Sequence, residues 1–120
     1  MKYMIMMFGT AEEMFEVQSP EWIKEMIGFM TSLNQELQAS GELVSAEGLV
    51  DGTQAKVVKQ TDTGVVVTDG PYGEAKESLV GYWILDVADE DRIVEIASRI
   101  VKYSGSVELR AVADGPPPVD

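Results

Sequence analysis

The chain has 120 residues, 45% hydrophobic and 25% charged, a balance that suits one soluble globular domain and not a disordered segment. Its 21 acidic side chains against 9 basic ones give a formal charge of −12, a field that repels nucleic-acid phosphates and anionic membrane surfaces. Cysteine and histidine are both absent, which excludes disulfides, thiolate metal sites, thiol nucleophiles and an imidazole base. Any chemistry then runs on carboxylates, Lys, Tyr, Ser or Thr, backbone groups or a bound cofactor.

Residues 2–8 read as a strand with apolar side chains on both faces: Tyr3, Ile5 and Met7 on one, Met4, Met6 and Phe8 on the other. The run is far shorter than the ~20 residues of a membrane span, and it lacks the flanks of a secretory leader. A cytoplasmic protein is expected. Ser19-Pro20-Glu21 is a helix start: Ser caps, Pro suits the first helical position, and Glu favours the positive helix end. That helix carries Ile23, Met26, Ile27, Met30, Leu33 and Leu37 at helical spacing and stops at Gly41, with Lys24, Glu25, Asn34, Gln35 and Glu36 assigned to its polar face.

A strand is expected over residues 42–50. Residues 55–59 and 65–68 form a hairpin around Asp62-Thr63-Gly64. Residues 79–87 make a long central-type strand. Asp89 then caps a second helix with Ile93, Ile96, Ala97 and Ile100 on one face and Arg99 and Lys102 near its negative end. The last strand, residues 106–112, alternates Val107, Leu109 and Ala111 inward with Glu108 and Arg110 outward. Residues 114–120, with Pro116-Pro117-Pro118, form a flexible tail after a single domain of residues 1–113.

The order β-α-β-β-α-β with an extra hairpin predicts an α+β, ferredoxin-like subunit. Right-handed crossovers place both helices on one face of the sheet. The opposite face is left bare although the first and central strands are apolar on both sides. A second identical chain is the simplest cover, so a homodimer packed sheet against sheet is expected.

Between the hairpin and the central strand lies Asp69-Gly70-Pro71-Tyr72-Gly73-Glu74-Ala75-Lys76-Glu77. With Lys2-Tyr3-Met4, Glu47-Gly48-Leu49 and Gly81-Tyr82, this stretch resembles the signature of the DGPF family within the YCII-related proteins. The likeness runs to about Val112. It implies a dimeric α+β barrel built from ferredoxin-like subunits, and it implies no particular activity. Some members are encoded beside extracytoplasmic-function sigma factors, which implies a regulatory protein partner as one expectation. Other YCII-related proteins carry a His-Asp pair proposed as catalytic; this chain has no histidine to form it. Tyr72 stands where the family name has Phe, Val80 where a second Gly is common, and Ala111 where Pro is common.

Asp69 is the catalytic candidate, as a general base or acceptor at a strand end; the alternative is that its carboxylate holds the Gly70-Pro71 turn. Glu74 and Lys76 share a face of an extended segment and are ligand-binding candidates, or else a salt-bridge set. Glu47 is either a functional carboxylate in a sheet or a solvated rim residue. Tyr72 and Tyr82 complete the candidates, with Tyr82 and Trp83 pointing to opposite faces of their strand. The Met residues are read as adaptable core filling. No metal site is expected, and no phosphate- or dinucleotide-binding motif calls for a cofactor. The leading expectation is a homodimer with a small-molecule or partner-binding cleft near residues 69–77, in a binding or regulatory role. The alternative is a small-molecule enzyme using carboxylate acid/base chemistry.

Overall fold

A computed structural model describes residues 1–9, 16–72 and 78–118. Among these, the chain runs β1 (Lys2–Phe8), α1 (Pro20–Ala39), β2 (Leu43–Gly48), β3 (Lys56–Thr61), β4 (Gly64–Asp69), β5 (Leu79–Asp86), α2 (Glu90–Ser104) and β6 (Glu108–Ala111). Four strands form one antiparallel sheet in the order β2-β5-β1-β6. This is the ferredoxin-like α+β arrangement, with β5 and β1 at the centre and the α1 and α2 crossovers on one side.

Local signals set the helix ends. The Ser19 hydroxyl accepts the Trp22 N–H at 3.1 Å, and Asp89 accepts the Arg92 N–H at 2.9 Å. Each such cap contributes about 1 kcal/mol. At the other ends Gly41 and Gly105 take φ of +80° and +81°, left-handed conformations that disfavour a side chain.

The core lies between the sheet and the helices. Ile5 sits opposite Trp83 on one side and Leu109 on the other. It packs with Leu85, with Leu33 and Leu37 of α1, and with Ile93, Ile96 and Ile100 of α2. Burying each aliphatic side chain of this kind contributes roughly 1.5–3 kcal/mol relative to water. Arg99 crosses to Glu36 at 2.7 Å and links the two helices.

Three details depart from the linear pattern. Ile27, expected on the buried stripe of α1, is 55% exposed, and only Leu33 and Leu37 of that helix are fully buried. Ala111 is exposed at the edge of β6, whereas Leu109 packs on the core. Asn34, assigned to the polar face, turns inward to Trp83. The first half of α1 therefore stands off the sheet that its second half grips.

Strand alternation directs Met4 and Met6 of β1, and Tyr82 and Ile84 of β5, away from the helices, with Met6 buried; the register shifts beyond Met7, where Phe8 pairs with Leu79. Among the described residues, strands β3 and β4 pair only with each other. Val58, Val65 and Val67 lie on one face of that ribbon and are 64%, 65% and 57% exposed. Among the described residues no helix is long and apolar enough to cross a membrane.

Candidate functional site

Where α1 lifts away, a cavity of about 580 Å³ opens between the helix and the end of the sheet. Its floor comprises Met7, Ala46, Gly81 and Trp83. Small residues create the gap. Gly81 is buried opposite Met7 and Gly48, and Ala46 is the cross-strand neighbour of Trp83. A Cβ added at Gly81 would come within 3.3 Å of the Glu47 carbonyl oxygen and 3.4 Å of the Met7 methyl carbon. Helix α1 contributes Trp22, Met26, Met30 and Asn34, each four residues after the last, a single row down one side of the helix. Over twelve residues that row extends roughly 18 Å.

The walls are aromatic and thioether, with few polar groups. The Trp83 indole N–H donates to Oδ1 of Asn34 at 2.7 Å. Tyr103, at the end of α2, packs against Trp22 with ring centroids 5.6 Å apart and against Phe29 at 4.9 Å. Burial raises the Tyr103 hydroxyl above its ordinary pKa, and donation to Glu25 at 3.2 Å acts in the same direction. Two carboxylates border the space. Asp51 is committed to its own turn, accepting the Gly52 N–H and the Thr53 hydroxyl, each at 3.0 Å. Glu47 is exposed, and its pairing with Tyr82 puts it on the sheet face opposite Ala46 and Trp83. Among the described residues no cluster of three carboxylates is placed to hold a metal ion. The arrangement suits enclosure of an apolar body with one or two polar contacts.

The model of the YCII-related domain matches residues 1–115. The chain belongs to the YCII-related domain family. It is also 26% identical over 116 residues to an uncharacterised protein of Rhizobium meliloti (strain 1021), covering 94% of this chain and 93% of that protein.

This YCII-related domain distributes its sequence-derived candidates over two places. Glu47 and Tyr82 are cross-strand partners and both border the cavity. Asp69 ends β4 on the hairpin, where its carboxylate takes the Lys56 ammonium at 2.7 Å and stays 84% exposed. The turn that follows is held by backbone instead: the Gly70 N–H donates to the Ala55 carbonyl at 2.7 Å, with Gly70 at φ +98°. Tyr72 is 90% exposed and borders a separate depression of about 530 Å³ with Pro71, Val57 and Leu79. Glu74 and Lys76 lie outside the described residues.

The residues missed in the sequence are those of the α1 row. Met26 and Met30 read as core, and Asn34 as solvent-facing. The signal that reveals them is the strict four-residue spacing from Trp22, which carries one polar residue onto an apolar row.

Proposed function

We propose that this YCII-related domain is a homodimeric binding protein whose ligand sits in the cavity between α1 and the sheet. The observation that carries the reading is the cavity itself. Its volume lies in the range of small-molecule sites, and its walls are apolar and aromatic with few polar groups. The segment of residues 69–77 leads into Val80, Gly81, Tyr82 and Trp83, all of which border the cavity. A binding role is favoured over turnover because the carboxylate candidate for a base, Asp69, is exposed, paired with Lys56 and absent from the lining. The homodimer is supported by the apolar face of β1 and β5. Met4, Tyr82 and Ile84 on that face are half-buried beside the buried Met6, and one patch present on both copies suits a two-fold pairing.

The test is titration with the neutral dye Nile red, followed through its own emission and through Trp22 and Trp83, the chain's two tryptophans, both of which border the cavity. Saturable binding is expected, weakened at least about tenfold in Met26→Trp, which fills the space from a half-buried helix position. Absence of saturable binding, or equal binding by the filled variant, sinks the reading. Sedimentation is expected to give twice the 13.1 kDa chain mass.

A further inference from the structure

We infer that the cavity selects neutral, ring-bearing molecules with a carbonyl-type oxygen, and that Asn34 is the residue that reads that oxygen. The inference rests on the cavity being a ligand site and specifies its chemistry.

Charge is the first discriminator. Among the described residues bordering the cavity there is no Lys and no Arg, so none of them offers a cation in exchange for the hydration an anion would lose. The chain's net charge of −12 acts the same way. A cation fares little better. Both oxygens of Asp51 accept hydrogen bonds from Gly52 and Thr53, and Glu47 faces away from the floor formed by Ala46 and Trp83. Each Asp51 oxygen thus already shares its charge with a donor of its own turn, and the Glu47 side chain is directed away from the floor, so the pull of both on a cation at the floor is weakened. Neutral ligands suit these residues best.

Shape and polarisability come next. Trp22, Trp83 and Tyr103 supply aromatic surfaces, and Met7, Met26 and Met30 supply thioethers. Flat rings gain most from such walls, through offset or edge contacts and through sulfur against the ring.

The polar group is set by the protein's own hydrogen bond. An indole nitrogen only donates, so the Asn34 oxygen must face Trp83, and the amide nitrogen with its two N–H donors is directed elsewhere. Among the described residues those donors meet no acceptor. Of the other polar side chains at the border, Tyr103 donates to Glu25 and the Ser104 hydroxyl reaches the carbonyls of Ile100 and Ser106. Gln18, Tyr82 and the Trp22 indole also carry donors, but the Asn34 amide is the one oriented by a hydrogen bond to another residue of the cavity. Asn34 thus offers a donor, held in one orientation by Trp83, to a ligand that brings an acceptor oxygen.

The experiment compares three two-ring probes of similar shape by ligand-detected NMR titration: 2-acetylnaphthalene, 2-isopropenylnaphthalene and 2-naphthoate. For the wild-type protein the ketone is expected to bind roughly 5- to 10-fold tighter than the hydrocarbon, the value of one hydrogen bond, with the carboxylate weakest. Asn34→Leu should bring the ketone down to the hydrocarbon's affinity while the hydrocarbon changes by less than about threefold. Asn34→Asp preserves an acceptor for Trp83 and serves if the Leu variant misfolds; it too should lose the preference. Equal binding of ketone and hydrocarbon to the wild type overturns the selectivity, as does a preference that survives in Asn34→Asp or a carboxylate that binds best. Failure of all three probes, the hydrocarbon included, overturns the ligand-site reading itself.

Discussion

The guanidinium of Arg92 closes on the carboxylate of Glu42 with two donors, Nε at 2.9 Å to one oxygen and Nη2 at 2.8 Å to the other. Glu42 immediately precedes β2 and Arg92 lies in the first turn of α2, so this contact ties the sheet edge to the second helix. The Ser40 hydroxyl adds a third donor to Glu42 at 2.8 Å. The side chains are only 27% and 16% exposed, which sets the pair apart from a solvated surface ion pair. The Arg92 donors hold the Glu42 carboxyl below the usual carboxylate range, and Glu42 raises Arg92 above its ordinary value.

Replacing Arg92 with Met is expected to cost about 1–3 kcal/mol in urea unfolding at neutral pH, because it strands a partly buried carboxylate. The folded pKa of Glu42 is the depressed one. Its contribution is therefore complete above the unfolded value of about 4.3 and is lost as pH falls through the folded value. The stability gap between wild type and Arg92→Met should close in acid; a gap unchanged down to strongly acidic pH contradicts the assignment.

Gly81→Val tests how the cavity is made. The added side chain meets the Glu47 backbone and the Met7 methyl, so a loss of roughly 1–3 kcal/mol is expected from overpacking. Nile red affinity should fall as well. Thermal unfolding and dye titration on the same sample separate the two effects, and unchanged dye affinity in a folded variant argues against Gly81 as the cavity floor.

Ile84→Glu places a carboxylate on the sheet face opposite the helices. Pairing through this face would bury that charge in the interface, so the variant is expected to sediment as a 13.1 kDa monomer at micromolar concentration. A variant that stays dimeric moves the interface to another surface.

Asp69→Asn removes the charge that Lys56 pairs with on the hairpin. Since the two side chains are 84% and 65% exposed, stability should change by less than about 1 kcal/mol, and binding of the neutral probes should not change. A large loss of probe affinity would bring the hairpin end into the site.

Tyr103 offers a check on the cavity wall. With its pKa raised, first by burial and then by Glu25, the neutral phenol is the form the fold favours. Its contribution is complete below the unfolded value of about 10 and is lost as pH rises through the folded value. In an alkaline absorbance titration the late tyrosinate step should vanish in Tyr103→Phe.

Residues with only local work to do were legible in the amino-acid sequence. Ser19 and Asp89 cap helices by reaching N–H groups three residues away, Gly41 and Gly105 end them, and period-two alternation separates Trp83 from Tyr82. Each depends on neighbours within a turn or a pleat, and the β-α-β order then leaves few topologies. The missing histidine and cysteine bounded the chemistry before any fold was considered. Only the tertiary structure decided which polar residue faces inward. Asn34 meets Trp83 from 49 positions away, Glu47 borders the cavity through its register with Tyr82, and Asp69 is carried off on a hairpin. The cavity exists because Gly81 and Ala46 lie beneath Trp22, Met26 and Met30, a match of small floor to lifted helix. Sheet register and helix docking set that match, and both are sums over contacts between distant segments that no local pattern encodes.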